Sequence, residues 1–235
     1  MIGYSMNPRQ LIDEFNQMAD TAHAKAFITI GVEIQEKEIT VLQNYIGDLI
    51  ELKTKFISQQ MEAEANLIFC IVGSLRAVQY ELQMLVNLKK DKMAEAWGNL
   101  VYAQTVLGPV IRNYPLENAD PVTGYLDRLA SYEKLLFPNM YFHSVGYIIK
   151  EARCSICKQD PEDCDHIKGK LYMGELCSRH IVKADLLEAS LVKNPANKLC
   201  RTLSIQTGGK TIDLLTYREI KNDPLEHGEK PDHAS

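Results

Sequence analysis

The chain has 235 residues, of which 46% are apolar and 24% are charged, and its formal net charge is −5. These values are ordinary for a globular protein, and the acidic balance gives no general attraction to nucleic acid. The N-terminus lacks the basic start and long apolar stretch of a secretory signal, and the apolar run LIFCIVG is too short to cross a bilayer. We therefore expect a cytoplasmic protein with no membrane contact, whose cysteines stay reduced.

The first half of the chain is free to be helical, because no proline occurs between Pro8 and Pro109. Apolar residues recur at gaps of three and four from Ile39 to Phe56, which predicts a long helix over about residues 33–61. A stripe of this length exceeds what one small bundle needs to cover its core. We therefore expect part of it to face a protein partner or a second copy of the chain.

Three further helices are marked in a predicted bundle of five. Residues 66–88 are apolar nearly all round at their start, which favours a helix sandwiched between others. Asp91 is the expected N-cap of a helix that ends at Gly108-Pro109, and Asp120 is the expected N-cap of a helix that Pro138 stops.

After Pro138 the pattern changes to short segments rich in β-branched and aromatic residues, bounded by Gly, Asn or Pro. We expect these segments to form a small sheet that carries the Cys/His-rich segment as an insertion. The predicted strands cover residues 141–152, 187–194 and 199–207. The SIQTGGKT motif that follows is interpreted as a glycine turn and not as a phosphate-binding loop, since its first glycine is replaced by Ser204.

The predicted fold class is thus mainly α, with an N-terminal helical bundle and a small zinc-stapled α+β module. The bundle is expected over residues 1–137, the module over residues 138–218 and a flexible tail over residues 219–235. The tail assignment follows from the absence of an apolar cluster in its sequence.

Residues 154–180 contain four of the six cysteines and two of the six histidines of the chain. The spacing Cys154-x-x-Cys157 lets two thiolates from one tight turn bind the same tetrahedral ion, and Cys177 returns to it after a loop. These three residues are the first predicted ligands. Zinc is favoured over an iron–sulfur cluster, because imidazoles lie among the candidates and the spacing matches no ferredoxin motif.

The fourth ligand has three candidates, Cys164, His166 and His180. Cys164 and His166 are favoured because either closes the site within the loop, whereas His180 is expected to lie beyond reach on an exposed face. A site rich in thiolates and closed by four protein ligands is typical of structural zinc, because the thiolates weaken the Lewis acidity of the ion. We therefore predict no catalytic role for the metal.

The Cys/His segment also resembles the zinc-bearing HNH nucleases of the endonuclease VII type, through the pattern CSIC…DHI…LCSRH. The resemblance implies a general base at Asp165-His166 and zinc ligands at Cys154, Cys157, Cys177 and His180. This sequence departs from that pattern in having only seven residues between Cys157 and Asp165. It also has Ile181 where those nucleases have a magnesium-binding Asn.

Nucleic-acid binding without catalysis is the third interpretation of the same segment. Residues 151–183 carry six acidic and six basic side chains, so their formal charges cancel. Phosphate binding depends on a basic surplus, and composition therefore does not support a finger that binds DNA or RNA.

The motif HSVGY at residues 143–147 precedes the Cys/His segment, and EASLVKNPAN at residues 188–197 follows it. This order resembles the strand pair of tailed-phage prohead proteases. The resemblance implies neighbouring strands at residues 144–149 and 188–192, a nucleophile position at Ser144, and a bacterial or phage setting. A serine nucleophile needs a base within reach, and the chain offers only His23 and the adjacent His143 upstream.

Taken together, the sequence predicts a non-enzymatic zinc-binding scaffold, sensor or adaptor subunit of a bacterial assembly, with phage defence as one setting. An HNH-like metal-dependent nuclease, a nucleic-acid-binding protein and a degenerate relative of the prohead proteases remain as alternatives. The expected partner is a protein or a second copy, bound through the long N-terminal helices. No catalytic residue is predicted.

Overall fold

The computed structural model describes residues 8–115 and 119–220, and contacts divide the chain into two compact units. The first segment of unit 1 ends at Phe137, directly after the last helix. The Cys/His segment, expected in a separate module, belongs to unit 1 as well, because its loops pack on the helices. Within the described residues, unit 1 comprises residues 8–115, 119–137 and 145–188, and unit 2 comprises residues 138–144 and 189–220. Most of the predicted tail, residues 221–235, lies outside the described residues.

About half of the chain is helical, in agreement with the predicted mainly α class. Within the described residues, no helix has the combination of length and hydropathy that crossing a membrane requires. The five helices of the described part are α1 (Pro8–His23), α2 (Val32–Ser58), α3 (Glu62–Lys89), α4 (Met93–Arg112) and α5 (Asp120–Leu136).

Helix α2 confirms the long helix predicted from the apolar stripe, and the stripe faces the core of the chain itself. Leu42, Ile46, Leu49 and Phe56 are all buried. These residues are therefore not free to face a partner, and the argument for association through the stripe does not apply to them. Association through α2 and α3 stays a prediction that the structure does not test.

Helix α3 is the centre of the bundle and contacts α1, α2 and α4, as its all-round apolar sequence predicts. Gly73 brings α4 unusually close, because a Cβ atom added there would lie 2.5 Å from Cγ2 of Val110. Val110 is fully buried in a small cluster with Cys70 and Leu171. This cluster joins the end of α4 to the Cys/His segment.

Helix α4 does not end at Gly108-Pro109 as predicted, but continues through Pro109 to Arg112. A proline inside a helix removes one backbone hydrogen bond and crowds the preceding turn. Here the last turn is held by the burial of Val110 and by Asn113, whose Nδ2 atom donates to the carbonyl oxygen of Pro109 at 2.9 Å. Tertiary packing therefore outweighs the local signal.

The predicted N-caps are each displaced by one residue. Asp91 adopts a positive φ of 57° in the turn after α3, and the N-cap of α4 is Lys92. Asp120 is the first residue of α5, and the N-cap is Ala119. Helix starts were therefore predicted to within one residue, but the capping residues were wrong.

The strands form three separate two-stranded sheets in the described residues, and not the single sheet predicted. Strand β1 pairs with β4, and the pairs β2–β3 and β5–β6 are antiparallel. Gly208 and Gly209, both with positive φ, form the turn between β5 and β6, which confirms the glycine-turn interpretation. The strands are β1 (Phe142–Cys154), β2 (Leu171–Tyr172), β3 (Glu175–Leu176), β4 (Arg179–Val192), β5 (Ser204–Thr207) and β6 (Lys210–Asp213).

Strands β1 and β4 form a long ribbon, with the Cys/His segment inserted between them as predicted. Gly146 lies beside Glu188, and Lys150 pairs with Asp185. Because the residue number rises on one strand while it falls on the other, the ribbon is antiparallel. Strand β4 begins at Arg179, earlier than predicted, because its exposed middle accepts charged residues that interrupt the apolar pattern.

A buried carboxylate connects three helices of unit 1. Glu81 of α3 is fully buried, and its Oε2 atom accepts hydrogen bonds from Tyr125 Oη at 2.8 Å and from Arg128 Nη2 at 2.7 Å, both on α5. The same Nη2 atom lies 3.1 Å from Nδ1 of His23 on α1. His23 is therefore packed and hydrogen-bonded, as expected for a lone histidine in apolar surroundings.

Candidate metal centre

Four side chains that can bind metal meet at the base of the ribbon. Cys154 is the last residue of β1, and Cys157, Cys164 and His166 lie in the loop that follows. One ligand atom from each of these residues lies within 4.8 Å of all the others. This Cys3His group could hold a metal ion, which is what the spacing of Cys154 and Cys157 predicts.

The imidazole of His166 brings one ring nitrogen to within 4.8 Å of the three cysteine sulfurs. Its Nδ1 atom is buried and has no hydrogen-bond partner among the described residues. The ring packs edge-on against Tyr172 with centroids 4.6 Å apart, and Tyr172 Oη accepts a 2.8 Å hydrogen bond from the N–H of Ile167. A buried polar nitrogen without a partner is costly, and a metal ion bound at this nitrogen would satisfy it.

The turn after β1 favours a thiolate at Cys154. The carbonyl oxygen of Cys154 accepts from the N–H of Lys158 at 3.0 Å, and Lys158 closes the turn with a φ of 64°. Backbone N–H groups of Cys157 and Ile156 point at the sulfur, the latter at 3.4 Å. Chiefly through the Cys157 N–H, this arrangement lowers the pKa of the Cys154 thiol to about 6.

The neighbouring thiols cannot all ionise without a cation between them. The backbone N–H of His166 lowers the pKa of Cys164, but burial and the sulfurs of Cys154 and Cys157 outweigh it and raise the pKa to about 11. Like charges at this separation disfavour one another. A divalent ion reverses that balance, so binding would be accompanied by the release of protons.

Cys177, the third of the first predicted ligands, lies next to this group but outside it. Its sulfur is buried and lies 3.9 Å from the sulfur of Cys154, close to the ~3.8 Å expected between two thiolates on one tetrahedral zinc ion. Burial, followed by the proximity of Cys154, raises the pKa of Cys177. Cys154, Cys164, His166 and Cys177 line a cavity of about 30 Å³, which has room for one ion.

Side chains from the bundle hold the loop backbone. Near the turn between β2 and β3, the carbonyl oxygen of Gly174 accepts from Lys53 Nζ at 3.0 Å, and its N–H donates to Asn66 Oδ1 at 2.7 Å. The N–H of the preceding residue, Met173, donates to Glu62 Oε1 at 3.1 Å. The Cys/His loop is therefore fixed to α2 and α3 independently of any metal.

The remaining candidate histidine lies elsewhere. His180 is exposed on β4 and is not part of the Cys3His group, whereas His166, the general base in the HNH resemblance, is a member of it. Asp165 is exposed. His180, a ligand in the HNH resemblance, thus lies outside the Cys3His group, and His166 lies within it.

No family model matches the chain, and no curated protein or solved structure matches it either. The resemblances to prohead proteases and to HNH nucleases accordingly stay expectations from sequence.

Sequence reasoning did not find the side chains that hold the loop. Lys53 and Asn66 are polar residues on helices, and Asn113 directly follows α4. Nothing in their spacing distinguishes them from solvated positions. Glycines in the loop were the one feature of the sequence that could have indicated these contacts. Gly169 and Gly174 both adopt positive φ values, which only glycine adopts without strain, and both lie against the helices.

Proposed function

We propose that this chain is a non-enzymatic zinc-binding scaffold or adaptor protein, in which the metal fixes the Cys/His loop at the base of the β1–β4 ribbon. One observation carries the proposal: His166, whose buried Nδ1 atom has no hydrogen-bond partner among the described residues, has a ring nitrogen within 4.8 Å of the sulfurs of Cys154, Cys157 and Cys164. Thiolates together with imidazole suit zinc, which takes four such ligands in a tetrahedron.

The ligand set supports a structural role. Four protein ligands fill a tetrahedral ion and leave no position for a water molecule or a substrate, and three thiolates reduce its Lewis acidity. In the proposed site Cys177 is a neighbouring thiol that hydrogen-bonds the Cys154 sulfur and is not itself a ligand. An outer partner of this kind orients the ligand and adjusts its charge.

The position of the site supports the scaffold role. The metal would join the end of β1 to a loop that Lys53, Asn66 and Asn113 hold against α2, α3 and the end of α4. The direction in which the ribbon leaves the bundle would then be set by one ion. In this proposal the metal orients a surface and takes no part in a reaction.

Metal analysis of the purified protein, prepared without a histidine tag, tests the proposal. We expect about one equivalent of zinc per chain. His166→Ala and Cys164→Ser should each weaken zinc binding by more than about a hundredfold. A loss of this size exceeds the effect of removing a residue that only hydrogen-bonds a ligand. His180→Ala is the matched control and should keep its zinc. A protein free of zinc, or equal losses in the His166 and His180 variants, would refute the site.

Two further measurements test the ligand set and the absence of catalysis. Cys177→Ser should retain zinc where Cys164→Ser does not, and equal losses would show that Cys177 is a ligand. Incubation with DNA and RNA in the presence of Mg²⁺ should give no cleavage. Cleavage that His166→Ala abolishes while zinc is retained would replace the scaffold proposal by the nuclease alternative.

A further inference from the structure

The outer edge of β4 has no strand beside it in the described part of the chain, since β4 pairs with β1 alone. All residues from Arg179 to Ala189 are exposed. Large apolar side chains are among them, and their exposed fractions are 43% for Ile181, 58% for Val182, 70% for Leu186 and 63% for Leu187. A two-stranded ribbon is marginally stable alone, and an edge of this kind pairs readily with another strand.

The sequence of this edge is chemically symmetric about Ala184. Residues 180–188 read HIVKADLLE, so basic and apolar residues before the centre are matched by acidic and apolar residues after it. Lys183 mirrors Asp185, and His180 mirrors Glu188. The apolar pairs Val182 with Leu186 and Ile181 with Leu187 complete the symmetry.

We propose that two copies of this chain associate through an antiparallel pairing of their β4 strands, centred on Ala184 of each copy. Lys183 of one copy then lies opposite Asp185 of the other, and each exposed apolar residue lies opposite an apolar residue. Directly opposed residues share a face of the sheet, and each mirrored pair here has the same parity along the strand. The product is a four-stranded sheet with the order β1–β4–β4–β1.

The symmetry itself identifies the occupant as a second copy. A twofold interface must be self-complementary, because each residue meets the mirror position of its own sequence. A parallel pairing would place Lys183 beside Lys183, and an unrelated strand would impose no mirror pattern on this edge. The ion pair between Lys150 and Asp185, at 3.3 Å, is exposed at both ends and therefore too weak to hold Asp185 away from a second copy.

This dimer rests on the proposed scaffold function and adds the identity of the partner, which is a second copy of the chain. Sedimentation and light scattering of the zinc-loaded protein at up to about 100 μM should show a dimer, since even a modest interface is populated there. Lys183→Glu and Asp185→Lys each place two like-charged pairs in the interface, and each should weaken the dimer roughly 10- to 100-fold. Lys134→Glu, at an exposed position on α5, is the matched control and should leave the dimer intact.

Mixing separates direct pairing from damage to the fold. The Lys183→Glu chain is acidic at residues 183 and 185, and the Asp185→Lys chain is basic at the same two residues. An equimolar mixture should therefore form a heterodimer. Lys183→Asp combined with Asp185→Lys in one chain should restore the homodimer. Each of three results would overturn the inference. They are a monomeric wild-type protein, a dimer that neither single change weakens, and an equimolar mixture that forms no heterodimer. Zinc content is measured in each sample, because a wild-type protein that holds zinc but stays monomeric contradicts this interface and leaves the proposed metal site standing.

Discussion

The side-chain amide of Asn113, directly after α4, donates a 2.9 Å hydrogen bond from Nδ2 to the carbonyl oxygen of Gly169. Its Oδ1 atom accepts a bond of 3.2 Å from the N–H of Leu171. One helix-terminal side chain therefore satisfies two backbone groups of the Cys/His loop. Such groups would otherwise be left unpaired where the loop packs on the bundle.

Replacement of Asn113 by Asp tests this contact, because the change keeps the shape and turns the donor toward Gly169 into an acceptor. We expect the free energy of unfolding to fall by about 1–3 kcal/mol, the cost of leaving a buried polar group unsatisfied. Thermal unfolding measures the loss, and amide exchange locates it in residues 167–173. Asn44→Asp, at an exposed position on α2, is the control. Equal effects of the two changes would show that the Asn113 contacts do not stabilise the loop.

Gly174 is predicted to be intolerant of a side chain. It has a φ of 72°, and an added Cβ would lie 3.1 Å from the carbonyl oxygen of Ala65 and 3.2 Å from its Cβ. Gly209 has a φ of 74° with nothing within 4 Å of the added atom, so Gly209→Ala measures the conformational cost alone. That cost is about 1 kcal/mol, and Gly174→Ala should exceed it by roughly 1–3 kcal/mol through steric overlap. Denaturant unfolding of the two variants gives the comparison, and equal losses would argue against close packing of the turn.

His23 is predicted to make the protein sensitive to acid. Burial, and then the charge of Arg128, lowers the pKa of His23 from 6.5 to about 4. The unfolded chain therefore binds a proton at a pH where the folded chain does not, and stability contributed by the neutral ring is lost as the pH falls from 6.5 toward 4.

Glu81 acts in the opposite direction, because burial raises its pKa and the folded chain takes up that proton first. The two effects are separated by comparing the wild type with His23→Gln between pH 7 and pH 4. The wild type should lose more stability over this interval than the variant. Parallel loss in the two proteins would show that the acid sensitivity has another source.

Removal of the proposed zinc with a chelator should loosen residues 154–167 and leave the helices formed. The core residues of α3 and α4 are buried against each other and need no metal to stay packed. Helical circular dichroism should therefore persist while amide exchange rises in the loop. A single transition in which helical signal and zinc are lost together would contradict independent stability of the bundle.

Local periodicity was sufficient to predict the helices, because a stripe such as that from Leu42 to Phe56 follows directly from 3.6 residues per turn. The four clustered ligand candidates were likewise visible as soft side chains close in sequence. Both features depend on residues that are near neighbours along the chain.

The features that were missed depend on contacts between distant segments. Pro109 marks a helix end in isolation, but the burial of Val110 carries α4 past it. The contact of Asn113 with Gly169 joins residues 56 positions apart, and no local pattern encodes it. Whether Cys177 is a ligand or a neighbour of one is also a matter of loop geometry, which spacing leaves open.

The Cys/His segment occupies the place of the turn in the β1–β4 ribbon, since β1 ends at Cys154 and β4 begins at Arg179. A turn of this length closes slowly, because the entropy of bringing its ends together is lost before any strand contact forms. The helices depend on more local contacts and should form first. Refolding should therefore show a fast helical phase and a later phase whose rate rises with zinc concentration. In the proposed assembly, the edge of β4 would then become available only after metal loading, and metal supply would determine when two chains can meet.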